Sequence, residues 1–172
     1  PTTAKEVELF LQVVRERQPL FVGMSVMSSM YLDTVYQLME GLAQERLAPL
    51  VCGGSYATMF PEKLLEQGAD FVIRSDGEHA ICRLADALRM GYDWRNIPSL
   101  GWGEKGEVHQ NEIGDVLNDV DGYGIPVVNS VGACFIDRNT ITWGDPQRNT
   151  RSYEVIASRG CPFTCSYCCC VN

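Results

Sequence analysis

Across 172 residues, 45% of them hydrophobic and 21% charged, the chain carries enough apolar material for one globular core and the start of a second, which excludes a disordered chain. A net charge of -8 and a pI near 4.7 argue against a nucleic-acid backbone as the main partner, because neutralising phosphates takes a surplus of Lys and Arg. No stretch is long and apolar enough to cross a bilayer, and the opening residues PTTAKEVELF have neither a basic n-region nor a signal-peptide core, so a cytoplasmic location is expected.

The first element opens at Thr3, where T-A-K-E forms a capping box, and Val7, Leu9, Phe10, Leu11, Val13 and Val14 give a helix with a broad apolar face. Pro19 precedes an apolar run over 20–26 with the composition of a buried parallel strand. A second helix is predicted from Tyr31 to Arg46, with Val35, Leu38, Met39 and Leu42 on one stripe, and a second strand over 49–52. The unit then repeats. Pro61 suits a first helical position, Leu64 and Leu65 face inward, and Gly68 can close the helix in a left-handed conformation. Phe71, Val72 and Ile73 form the next strand, and after Asp76-Gly77-Glu78 the stripe of Ile81, Leu84, Ala85 and Leu88 predicts a helix ended by Gly91. Strands alternating with helices over short turns predict an α/β fold over residues 1–97, a Rossmann-like parallel sheet with flanking helices, whose opening strand is expected upstream of Pro1.

Past Pro98 the period changes. Leu100 to Trp102 and Val108 to Gln110, joined by Glu104-Lys105-Gly106, read as a β-hairpin. A connector over 98–152 is expected to contain it, then a segment rich in Asp, Gly and Asn, then a second hairpin from Ala133 to Trp143 turning at Arg138-Asn139. Trp94, Trp102 and Trp143 are expected to serve in packing. The pattern from Tyr153 to Ala157 predicts a strand that delivers Ser158-Arg159-Gly160-Cys161, and a new domain is expected over 153–172. With Pro1 rather than Met at the start and a cysteine-rich run just before Asn172, the chain is expected to be an internal piece of a larger protein.

Of the 8 cysteines, Cys52, Cys82 and Cys134 stand apart and read as small core residues, whereas Cys161, Cys165, Cys168, Cys169 and Cys170 fall close together. Clustering of that kind suggests metal ligation in a reducing compartment rather than a disulfide framework. From Cys161 the sequence is C-P-F-T-C-S-Y-C. Soft thiolates select iron-sulfur clusters, zinc or copper(I), and a structural zinc site normally takes four protein ligands, commonly as two separated pairs. No second CxxC or His pair exists here. Three close thiolates leave one iron of a four-iron cluster open to an exogenous ligand.

The stretch from Ser158 to Cys168 resembles the signature loop of the radical S-adenosylmethionine (SAM) superfamily, CxxxCxxC with an aromatic residue, here Tyr167, just before the third Cys. The resemblance implies that Cys161, Cys165 and Cys168 bind a 4Fe-4S cluster and that SAM chelates the open iron on the side of Tyr167. A reductant such as flavodoxin or ferredoxin would supply the electron that cleaves SAM to a 5′-deoxyadenosyl radical, which then acts on a small-molecule substrate. The family pattern assigns no ligand role to Cys169 and Cys170. On this view, residues 153–172 are the first strand and cluster loop of a truncated TIM-like barrel, and the chain alone is expected to hold no stable cluster and to be inactive.

The first 97 residues resemble the cobalamin (vitamin B12)-binding domain that precedes the barrel in one subclass of that superfamily, through V-G-M-S-V-M at Ser25, V-C-G-G-S-Y-A-T at Gly53-Gly54, and G-A-D-F-V-I-R-S-D-G-E ending at Glu78. In such domains a Ser after one strand and a Gly pair after the next lie along the nucleotide tail, so Ser25, Met27, Gly53 and Gly54 are expected to line one crevice. Glycines at the carboxyl ends of parallel strands suit close approach of a ligand. The same residues also suit a sharp turn, a helix cap and core packing, and carboxylates at Asp76 and Glu78 suit a helix start. The D-x-H-x-x-G loop that supplies a lower cobalt ligand is absent, and neither His79 nor His109 has that context. The leading expectation is a cobalamin-dependent radical SAM enzyme, performing methyl transfer or another radical tailoring reaction. The alternatives are a radical SAM methylthiotransferase, for which Cys52, Cys82 and Cys134 match in number, and a non-catalytic cobalamin-binding module with a structural metal site.

Overall fold

The computed structural model describes residues 2–114, 120–123 and 132–144 and, of the final segment, 159–161, 163, 165, 166 and 168. The strand expected over 153–157, together with Tyr167, Cys169 and Cys170, lies outside the described residues. Helix α1 (Ala4–Arg17) starts where the capping box predicts: Thr3 accepts from the Glu6 amide, and the Glu6 carboxylate accepts from the Thr3 amide at 2.8 Å. Strand β1 (Val22–Ser25) follows, then a 3-10 turn at Ser29–Tyr31 and α2 (Leu32–Glu45). Strand β2 (Leu50–Gly53) leads into α3 (Ser55–Met59), a five-residue helix the sequence patterning does not announce, and into α4 (Pro61–Glu66), which has Pro61 at its first position. Strand β3 (Phe71–Ile73) and α5 (Glu78–Met90) complete the alternation, and Gly91 ends α5 in the left-handed region at φ 73°.

The three strands lie side by side in chain order and parallel, with Val22 opposite Leu50 and Val51 opposite Phe71. Right-handed crossovers between strands added in one direction place their helices on the same face. Accordingly, α1, α2, α3 and α4 pack on one side, where Leu11, Met39, Leu42, Leu64, Cys52 and Val72 form a core with every residue at most 5% exposed. Gly41 lets α1 approach α2 closely, since a Cβ there would lie 3.0 Å from a Leu11 methyl. The opposite face is covered by α5 through Ala80, Leu84 and Ala87, with Trp94 packed edge-on against Phe71 and Trp102.

The sheet is mixed rather than wholly parallel. Strands β4 (Leu100–Glu104) and β5 (Glu107–Gln110) form the first expected hairpin, and β4 pairs antiparallel with β3, extending the same sheet to five strands past residue 97. Leu100 and Trp102 bury against α5, and that burial draws the hairpin in. The second hairpin, β6 (Cys134–Asp137) and β7 (Thr140–Trp143), turns at Arg138 and Asn139, both at positive φ, as a two-residue turn between twisted strands requires. It forms its own two-stranded sheet beside α1, where Asn139 hydrogen-bonds Thr3 and Glu6, and Arg17 lies over the Trp143 ring.

Candidate functional site

Because β1, β2 and β3 are parallel, three chain segments leave the sheet at one end, and ligand crevices in open α/β sheets form at such carboxyl ends. The register places Gly23 beside Val51 and Ser25 beside Gly53, on the face away from α2 and α4. With two glycines and one small hydroxyl there, little side chain fills the space, and Gly23 and Ser25 stay exposed while Met24 packs into the first core. The result is a crevice of about 540 Å³ that runs from β1 to the start of α5.

The two glycines of the pair do different things. Gly54 has φ 96°, and a Cβ there would sit 2.9 Å from the Val26 carbonyl oxygen, which already accepts from the Tyr56 amide. Its role is to let the turn into α3 pack on the backbone after β1. Gly53 is a strand residue whose hypothetical Cβ would meet nothing closer than the Ile73 carbonyl oxygen at 3.8 Å. A side chain at Gly53 would therefore enter the crevice without disturbing the backbone.

Thr58 ties the crevice loops together. Its hydroxyl donates to the Gly54 carbonyl at 3.0 Å and accepts from the Ser75 amide at 2.9 Å, holding Ser75 at φ 62°. Next to Ser75, Asp76 and Glu78 flank Gly77 at the beginning of α5, where the exposed amides of the first turn favour carboxylates. Both carboxylates face Arg159: Nη1 lies 2.9 Å from Asp76 Oδ1 and Nη2 lies 2.6 Å from Glu78 Oε1. These pairs, with Glu78 foremost, raise the guanidinium pKa above its ordinary value. Glu78 Oε2 is buried without a hydrogen-bond partner among the described residues.

Arg159 brings the cysteine loop to the crevice rim. In that loop Cys161 and Cys168 are exposed and Cys165 is half-buried; all three thiols are free, and the Cys168 amide donates to the Cys165 carbonyl at 3.1 Å. The donor chemistry suits a thiolate-bound cluster, although among the described residues no three His, Cys, Asp or Glu side chains gather closely enough to hold a metal ion. The isolated cysteines are scattered. Cys52 is in the first core, where burial foremost, and then the Asp70 charge, push its thiol up to about 12; Cys82 is exposed on α5, and Cys134 lies in β6.

Of the residues expected to line one crevice, Ser25, Gly53 and Gly54 do so, and Met27 does not, being 59% exposed outside it. His109 stacks on Trp102 at 5.2 Å in the hairpin, and His79 lies in the first turn of α5. Gly23, Thr58 and Arg159 are additions that the sequence reading did not single out. A glycine inside an apolar strand was the available signal for Gly23. No local signal connects Arg159 to residues more than eighty positions earlier.

Among known proteins, the family model of the B12 binding domain matches residues 2–85. The chain is 26% identical over 161 residues to an uncharacterised methyltransferase of Pyrococcus horikoshii, covering 91% of this chain and 33% of that protein. It is 28% identical over 177 residues to an anaerobic magnesium-protoporphyrin IX monomethyl ester cyclase of Cereibacter sphaeroides, covering 94% and 26%. The chain thus spans about a quarter to a third of the length of these curated relatives. The radical SAM methyltransferase TsrM of Kitasatospora setae, solved with cobalamin and a [4Fe-4S] cluster bound, superposes with a TM-score of 0.55 at 24% identity, over 62% of this chain and 22% of its own. The cobalamin-dependent SAM radical enzyme OxsB, with aqua-cobalamin bound, gives 0.54 at 17%, over 66% and 16%. At these identities the likeness to the solved structures is one of fold.

Proposed function

We propose, with the match of residues 2–85 to the B12 binding domain model as support, that this chain supplies the cobalamin-binding domain and the cluster loop of a radical SAM enzyme. The observation that carries the reading is the crevice at the carboxyl ends of β1, β2 and β3, kept open by Gly23, Ser25 and Gly53 and reached from the cysteine loop by Arg159. Ser25 and Gly53 would line the nucleotide tail of cobalamin, while Gly54 shapes the turn beside it. Cys161, Cys165 and Cys168 would hold a 4Fe-4S cluster, with Tyr167 on the SAM side. When bound, these groups supply one-electron cleavage of SAM to a 5′-deoxyadenosyl radical and, at cobalt, carriage of a methyl group. The chain's own contribution is placement: Thr58 fixes the loops around the crevice, and Arg159 holds the cysteine loop beside it.

Among the described residues, the scattered positions of Cys52, Cys82 and Cys134 give a methylthiotransferase reading no second cluster site. Both a methyltransferase and a cyclase are among the relatives, so the product of the whole protein decides between methyl transfer and another radical reaction. The test has two arms. Hydroxocobalamin titration is expected to give saturable, stoichiometric changes in corrinoid absorbance. The whole protein, reconstituted anaerobically with iron and sulfide and supplied with a reductant, is expected to release 5′-deoxyadenosine from SAM and to lose that activity in Cys165→Ala. Corrinoid binding with no SAM cleavage by either wild type or variant would instead identify a non-catalytic cobalamin module.

A further inference from the structure

We infer that Arg159 is a positioning residue: it latches the cysteine loop to the first turn of α5, and Glu78 is the point at which loop placement and crevice occupancy meet. The inference rests on the cobalamin reading only for the nature of the crevice ligand.

The guanidinium is forked across Gly77, one arm on Asp76 and the other on Glu78. The three side chains are 29–36% exposed, so these are partly solvated pairs, and their strength lies in one guanidinium engaging two carboxylates at once. Arg159 stands two residues before Cys161, so their Cα atoms are at most about 7 Å apart and the latch tethers the start of the cysteine loop to the crevice rim. All three latch residues line the crevice. Glu78 uses Oε1 for Arg159, whereas its Oε2 is buried with no partner among the described residues, an arrangement that costs free energy until a donor arrives. Glu78 lines the crevice, and rotation of its carboxylate would present Oε2 to an amide N–H or hydroxyl of the crevice ligand. A ligand that satisfies Oε2 also fixes the carboxylate that holds Arg159, and by linkage the latched loop strengthens ligand binding by the same factor that the ligand strengthens the latch.

The experiment uses this chain with hydroxocobalamin as the probe and reads two quantities in wild type, Arg159→Ala, Arg159→Lys, Glu78→Gln and the charge-swapped pair Arg159→Glu with Glu78→Arg. The first is the rate of iodoacetamide alkylation at Cys165, the half-buried thiol of the loop, mapped by peptide mass, with and without cobalamin. The second is corrinoid affinity from absorbance, and melting curves check that every variant stays folded. Without cobalamin, Arg159→Ala and Glu78→Gln are expected to alkylate at Cys165 about fivefold faster than wild type, with Arg159→Lys intermediate and the swapped pair partly restored. Cobalamin is expected to slow alkylation in wild type and to lose that effect in Arg159→Ala. Equal cobalamin-free rates in wild type, Arg159→Ala and Glu78→Gln would overturn the latch. Faster alkylation in the variants, with no corrinoid binding to wild type, would uphold the latch and sink the cobalamin reading; corrinoid protection that is the same in wild type and Arg159→Ala would overturn the linkage.

Discussion

The Gly53-Gly54 pair gives a test in which one glycine should report on binding and the other on folding. Gly53 is not at positive φ, and the nearest atom to a Cβ there is 3.8 Å away, an ordinary contact. Gly53→Leu is therefore expected to keep wild-type stability to within about 0.5 kcal/mol, as substitutions away from packed atoms do. Its side chain would occupy the crevice between Ser25 and Ile73, and overlap with a bound molecule costs about 1–3 kcal/mol, so hydroxocobalamin affinity is expected to fall by roughly 5- to 150-fold. Gly54→Ala behaves in the opposite way. At φ 96° the residue meets a left-handed penalty of about 1–2 kcal/mol. The 2.9 Å approach to the Val26 carbonyl adds a forced backbone shift of about 1–2 kcal/mol. For a chain of this size that total lowers Tm by roughly 5–15 °C. Titration by corrinoid absorbance and thermal melting by circular dichroism separate the two effects. Wild-type affinity in Gly53→Leu would refute the placement of the ligand, and wild-type melting in Gly54→Ala would refute the role given to that turn.

Thr58→Val keeps the shape of the side chain but removes the hydroxyl; the Gly54 carbonyl still accepts from the Thr58 amide, whereas the Ser75 amide loses its acceptor, which should cost about 1–3 kcal/mol in urea unfolding and weaken cobalamin binding, and Thr58→Ser should largely restore both. Cys52 gives a pH dependence. Its folded-state thiol is pushed from 9.0 up to about 12, so below pH 9.0 both folded and unfolded chains are protonated and stability is at its full value. Above it the unfolded chain ionises first, and stability is expected to fall by about 1.4 kcal/mol per pH unit. Tyr36, raised by burial, adds the same sign of dependence at more alkaline pH. Cys52→Ala should flatten the slope between the two thiol pKa values, and an identical slope in wild type and variant would show that Cys52 is not the group responsible.

What could be read from the sequence was what is encoded locally. The capping box of Thr3 and Glu6, the helical stripe of Val35, Met39 and Leu42, and the left-handed stop at Gly91 are each decided within a few residues, and the structure has them where the pattern places them. Helix α3 escaped because five residues, S-Y-A-T-M, are too few to develop a stripe. The hairpin at 100–110 was visible as a hairpin, but nothing in it states that β4 pairs with β3; that follows from Leu100 and Trp102 burying under α5. The Gly pair was conspicuous, yet its division of labour depends on Val26 and Ile73, one in the preceding loop and one in the next strand.

The position of the crevice follows from the uneven covering of the sheet. Strands laid down in one direction send α2, α3 and α4 to the same face, and α1 packs against α2, which leaves α5 as the main cover of the other face. Helix α5 lies against β3 and β4 through Leu84 and Leu100, so the face of β1 and the end of β2 stay uncovered. Bulky apolar residues there would expose a sticky surface, whereas Gly23, Ser25 and Gly53 make it shallow and small instead. The same geometry places the amino end of α5 at the crevice rim, which is why its two carboxylates can meet a guanidinium from the cysteine loop. Topology, more than any single residue, thus brings the loop proposed to hold the cluster to the crevice proposed to hold cobalamin.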